Sequence, residues 1–185
     1  MRRIIVSNLI SLDGFMEGPN RALDWFAVDQ EFFGYARELL GKVGTILFGR
    51  ATYQHMAGYW PTPAAAENDP FIIEKMNTLP KIVFSKTLQK VEWANSRLAK
   101  KTLTEEVREL KQQRGQDMVI FGSGSIVSAL GQAQLIDEYR LFVNPVVLGR
   151  GTPMFRNMHD RIRLKLLETR TFNSGLVGLY YRPEA

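Results

Sequence analysis

Short apolar runs separated by helical periods fill the first three quarters of the chain. Residues 3–9, RIIVSNL, read as a strand buried on both faces. Similar runs recur at 45–48 (TILF), 81–85 (KIVFS), 117–121 (DMVIF) and 138–143 (EYRLFV). Between them the period changes. Phe32, Ala36, Leu39, Leu40 and Val43 fall at i, i+4, i+7, i+8 and i+11, one buried stripe of a helix over 29–43. Residues 50–57 and 70–78 read as shorter helices, the second with Pro70 near its start. Thr102-Leu-Thr-Glu105 has capping-box spacing and opens a helix to about Arg114, with Gly115 as its stop. Another helix is expected over 124–133.

The last quarter differs. RLKLLETRTF and LVGLYYR alternate in polarity and are joined by Asn173-Ser174-Gly175, a hairpin signal. Strand–helix alternation followed by a hairpin predicts an α/β fold of three layers. A central mixed sheet is flanked by helices on both faces and closed by a C-terminal antiparallel hairpin. Residues 11–25 read as a long loop and 61–70 as a surface loop, so one domain is expected over 1–185.

Composition narrows the setting. The chain has 185 residues, 45% hydrophobic and 23% charged, enough for a sizeable core. It has no cysteine, which suits a reducing compartment and removes disulfides and thiolate metal sites. The first apolar run is too short and interrupted for a signal or membrane segment, so a cytoplasmic protein with no membrane partner is expected. Net charge is +5, but the basic residues are scattered. Scattered charge argues against nucleic acid and suits an anionic small molecule.

Chemistry concentrates where strands give way to helices. At 118–132, MVIFGSGSIVSALGQ, a strand breaks into Gly122-Ser123-Gly124-Ser125 and a helix follows at once. A helix N-terminus offers unpaired N–H groups, and glycine lets a phosphate approach the backbone. The plain alternative is a tight turn with Ser125 as N-cap. A Rossmann fingerprint is excluded, because the stretch 141–144, LFVN, lacks the required acid. No P-loop motif is present. Two more junctions carry phosphate-compatible groups: Gly49-Arg50-Ala51-Thr52 and Ser85-Lys86. Ligands of α/β sheets gather at the carboxyl ends of parallel strands, so the three junctions predict a ligand with several phosphates. His55 and His159 stand far apart and no Gly-x-Ser-x-Gly elbow exists, so neither metal catalysis nor a serine hydrolase is expected.

The ordered set SLDGFMEG, ILFGRATY, VFSKTL and FGSGSIVSALGQAQLIDEYRLFVNPVVLGRGTPMF, followed by a terminal hairpin, resembles the dihydrofolate-reductase-like superfamily. The nearer resemblance is to the C-terminal reductase domain of the bifunctional riboflavin-biosynthesis deaminase-reductase, in stand-alone form. It implies an NADPH-dependent reductase of a pterin-, pyrimidine- or flavin-related heterocycle. Gly49, Arg50 and Thr52 would lie against the cofactor phosphates, Ser85 and Lys86 would hold the ribose 2′-phosphate, and Gly122, Ser123, Gly124, Ser125 and Ile126 would cradle the pyrophosphate. A hydroxyl and an ammonium at 85–86 favour a dianionic phosphate over a bare ribose hydroxyl, hence NADPH over NADH.

The loop from Asp13 to about Trp25 would border nicotinamide and substrate, with Phe15, Trp25 and Phe32 lining the ring site. Three carboxylates are candidates for proton supply. Asp13 has an Asp-Gly turn role as its alternative, Asp29 a helix N-cap role, and Glu31 lies nearer the flank of the helical stripe. Dihydrofolate reductases carry an acid on the first helix that grips the pteridine, and here none is firmly placed. Dihydrofolate reduction and a non-catalytic nucleotide-binding relic therefore remain alternatives. The zinc deaminase partner domain of the riboflavin branch cannot be present in a chain without cysteine. A homodimer is expected from the family and from the strand surface at 143–148 and in the hairpin.

Overall fold

The computed structural model describes residues 1–184. In chain order the elements are β1 (Ile4–Ser11), β2 (Phe15–Glu17), α1 (Gln30–Lys42), β3 (Val43–Gly49), α2 (Arg50–Ala57), α3 (Pro70–Thr78), β4 (Lys81–Phe84), β5 (Ser96–Leu98), α4 (Leu103–Gln112), β6 (Asp117–Ile120), α5 (Gly124–Gln132), β7 (Glu138–Asn144), β8 (Thr152–Pro153), β9 (Leu164–Thr171) and β10 (Val177–Pro183). One eight-stranded sheet has the order β5-β4-β3-β6-β1-β7-β10-β9. The first six strands are parallel; β10 pairs antiparallel with β7 and β9 antiparallel with β10. This is the mixed α/β sheet with a terminal hairpin that the sequence pattern predicts.

The alternation of β1 shows why both faces are covered. Ile4 and Val6 join one core cluster with Val107, Leu110, Val127 and Leu130 of α4 and α5. Ile5 points the other way, to Tyr35, Leu39, Leu40, Ile72 and Met76 of α1 and α3. Two apolar layers therefore sandwich the sheet, and the N-terminal ends of α2 and α5 come to the carboxyl edge of the parallel strands.

Four expectations need correction. The 11–25 segment is not all loop: β2 pairs with β8 through Phe15↔Pro153 and Glu17↔Thr152. The short strand β5 also lies outside the predicted set. Helix α4 stops at Gln112 on an extended Gln113, two residues short of the expected end near Arg114. Ser125 is not the cap of α5; Ser123 holds that position in left-handed conformation, φ 55°.

Candidate functional site

Two strand–helix junctions are locked together. Ser123 is buried, and its Oγ accepts a hydrogen bond from the Gly49 N–H at 2.8 Å. The Ser123 N–H in turn donates to Thr52 Oγ1 at 2.9 Å. The hydroxyls of Thr52 and Ser123 thus fix the two turns against each other. The first N–H groups of a helix lack acceptors within it, so the openings of α2 and α5 offer donors at the strand ends, although the Ile126 N–H of α5 already donates to the Ser123 carbonyl at 3.0 Å.

A third strand supports the same turn. Asn8 sits mid-β1, 3% exposed, and its amide pairs with both backbone polar groups of one residue, Gly122. Its Oδ1 accepts from the Gly122 N–H at 2.6 Å, and its Nδ2 donates to the Gly122 carbonyl at 3.1 Å. Gly122 takes φ +61°, and a Cβ there would stand 2.9 Å from Thr52 Cγ2 and Oγ1. A Cβ on Gly124 would meet Met16 Cε at 2.7 Å and the Met154 carbonyl at 3.1 Å. Gly122 is therefore favoured both by its left-handed backbone and by Thr52, while a side chain at 124 would need Met16 to turn away and the Met154 carbonyl to shift by a few tenths of an ångström. Sequence reasoning missed Asn8; its signal was a lone amide within an apolar strand.

The third junction adjoins the other two through Arg50. An Arg50 guanidinium N–H donates to Thr87 Oγ1 at 3.1 Å. Ser85 Oγ accepts from the N–H groups of Thr87 and Leu88 at 3.2 and 3.0 Å, which shapes the turn that carries exposed Lys86.

A cavity of about 350 Å³ opens beside these turns, at the lower end of the range for small-ligand sites. Gly49, Arg50, Thr52, Gly122, Ser123, Gly124 and Ser125 line it. Ser85 and Lys86 lie outside its wall, and Ile126 is buried behind the glycine turn. Of the predicted ring-contacting aromatics only Phe32 lines the cavity. Trp25 instead donates its indole N–H to the Ala22 carbonyl at 2.9 Å and packs edge-on against Phe26, which takes the lining position. Phe15 likewise lies off the cavity, while Met16 and Glu17 of the same strand reach it.

None of the three predicted carboxylates lines the cavity. Asp13 accepts from the Ser11 hydroxyl at 2.6 Å and from the N–H groups of Leu148 and Gly149 at 3.1 and 2.7 Å. These bonds, the serine one foremost, hold its carboxyl down at about 2. Asp29 caps α1 by accepting from the Phe32 N–H at 2.9 Å and reaches the Ser174 N–H at 2.9 Å. The bond from Phe32, helped by Ser174, lowers its pKa. Glu31 accepts from the Asn173 N–H at 2.9 Å. All three tie loops together. Among the described residues the carboxylate on the cavity wall is Glu17, which accepts from the Thr152 hydroxyl at 3.2 Å.

Residues 2–178 match the family model of the RibD C-terminal domain. The chain belongs to the RibD C-terminal domain family. The uncharacterized protein YyaP of Bacillus subtilis (strain 168) is 34% identical over 180 residues, 97% of this chain and 94% of YyaP. A protein assigned to riboflavin biosynthesis in Shewanella sp. PV-4 has a similar structure, with TM-score 0.77, 22% identity and 99% of each chain covered. The diaminohydroxyphosphoribosylaminopyrimidine deaminase/5-amino-6-(5-phosphoribosylamino)uracil reductase of Thermotoga maritima aligns with TM-score 0.72 and 14% identity over 99% of this chain and 57% of that one. Dihydrofolate reductase from Enterococcus faecalis aligns with TM-score 0.66 and 14% identity over 99% and 97% of the chains. The fold of this RibD-type domain is thus dihydrofolate-reductase-like.

Proposed function

We propose that this RibD-type domain is a cytoplasmic NADPH-dependent reductase of a pterin-, pyrimidine- or flavin-related heterocycle. The observation that carries the reading is the interlock of the Gly49–Thr52 and Gly122–Ser125 turns. It sets two helix N-termini side by side at the carboxyl edge of the sheet, next to the cavity. The donor set suits a dinucleotide: Gly122, Ser123, Gly124 and Ser125 line the cavity at the opening of α5, Arg50 supplies a guanidinium, and Ser85-Lys86 lies one residue from the Arg50 contact at Thr87. When bound, reduced nicotinamide supplies hydride. The chain would orient and enclose it: the helix N-termini and Arg50 would hold phosphate, Lys86 would meet the 2′-phosphate, and Phe32 and Phe26 would wall the ring site.

Dihydrofolate reduction is disfavoured, because Asp29 and Glu31 are tied to the 173–174 turn and no carboxylate of α1 lines the cavity. That same observation supports a second reading, a nucleotide-binding relic without turnover. NADPH oxidation followed by nicotinamide absorbance against a panel of heterocycles separates the two. Turnover with a member of the panel supports the reductase. NADPH binding with no turnover on any member supports the relic.

The reading includes a homodimer built on β9. This outer strand exposes Leu166 (50%) and Leu167 (49%) at the edge of the sheet. β9 bulges at Leu167, between Leu166↔Tyr181 and Glu168↔Tyr180, and association of two copies along this edge would cover both leucines.

A further inference from the structure

The cavity is divided by depth. Its charged lining residues Arg21, Arg50 and Arg156 are exposed at the mouth, as is the imidazole of His55, with Glu17 half-buried. Its inner wall is apolar: Leu39 and Leu40 of α1 and Ile72 and Met76 of α3 are 2–4% exposed. Ala36 and Trp60, both half-buried, line the cavity alongside them.

The polar groups that border this inner slot are already paired. The Tyr35 hydroxyl lies 2.9 Å from Ser7 Oγ, and burial pushes the phenol pKa up, so it stays neutral. The Asn8 amide is held by both polar atoms of Gly122. No carboxylate, ammonium or guanidinium lines the inner wall among the described residues. An anion pushed into this depth would lose its hydration without gaining a partner.

We infer that the inner slot takes an uncharged, planar, largely apolar ring, and that a phosphoribosyl group is not accommodated there. This rests on the reductase reading and narrows its substrate class. It sets the chain apart from the phosphoribosylaminouracil named for the Thermotoga maritima relative. Anionic substituents are confined to the mouth, beside Arg21 and Arg156. The small Ala36 side chain on α1 keeps the slot open. A phenylalanine there fills it.

The test is binding, with two probes: 2-methyl-1,4-naphthoquinone for the apolar ring and uridine 5′-monophosphate for a phosphoribosyl pyrimidine. Calorimetry on the wild-type protein, with and without NADP⁺, is expected to show the naphthoquinone binding at least about tenfold more tightly than the nucleotide. Ala36→Phe is expected to weaken the naphthoquinone about tenfold or more while NADPH affinity stays within about twofold. Tighter binding of the nucleotide overturns the inference, as does a folded Ala36→Phe protein with unchanged naphthoquinone affinity. If that variant fails to fold, the wild-type comparison decides alone. Loss of NADPH binding with naphthoquinone binding intact overturns the cofactor reading and leaves the slot supported.

Discussion

The hydroxyl of Ser123 accepts the backbone N–H of Gly49 at 2.8 Å, across 74 residues of sequence. This bond makes one rigid unit of two turns that belong to different strand–helix junctions. Ser123→Ala leaves the buried Gly49 N–H without its acceptor, and an unsatisfied buried donor costs about 1–3 kcal/mol. Urea denaturation is expected to show a loss in that range, and NADPH titration a parallel loss of affinity. Unchanged stability would mean that the two turns hold themselves independently.

How much of this was legible beforehand depends on the range of the interaction. The bounds of α2 and α3 coincide with the expected 50–57 and 70–78, because Gly49 and Pro70 punctuate the chain locally. The three glycine-rich or polar junctions were legible for the same reason. Strand β2 has three residues and exists through its pairing with β8, more than 130 residues away, so no local period reveals it. Asn8 and Glu17 were missed because their partners, Gly122 and Thr152, lie 114 and 135 residues away in sequence. Trp25 and Phe26 are neighbours, and only the fold decides which of them turns to the cavity.

Asp13 is expected to matter for stability and not for the chemical step. Its folded pKa of about 2 lies below the unfolded value of roughly 4, so its contribution is complete above roughly pH 4 and fades as pH falls through 2. Asp13→Asn is expected to lower the melting temperature at neutral pH, and the gap to wild type is expected to close on acidification. A loss of turnover with unchanged melting would instead place Asp13 in the catalytic machinery.

Lys81 is 1% exposed and donates to the carbonyls of Asn77, Leu79 and Ala94 at 2.8–3.1 Å. Burial lowers its pKa to about 8. The unfolded chain keeps that proton up to roughly pH 10, so the folded form binds fewer protons in between and gains stability as pH rises. The stability of wild type relative to Lys81→Met is expected to improve by about 2–3 kcal/mol from pH 8 to pH 10. A flat difference would show that the three carbonyls hold the ammonium at its ordinary pKa.

The β9 edge is expected to carry the dimer. Leu167→Lys places charge in the apolar edge that Leu166 and Leu167 form and is expected to shift the protein to monomer in light scattering, with the fold retained by circular dichroism. A wild-type monomer, or a Leu167→Lys dimer, would remove β9 from the interface.

The convergence of three junctions on one phosphorylated cofactor is tested most directly by calorimetric titration of NADPH and NADH into wild type and Lys86→Glu. Wild type is expected to bind NADPH at least about tenfold more tightly than NADH, and Lys86→Glu to abolish that preference while NADH affinity changes little. Equal affinities in wild type, or an unchanged preference in the variant, would contradict the placement of the 2′-phosphate at Ser85-Lys86 and with it the shared site.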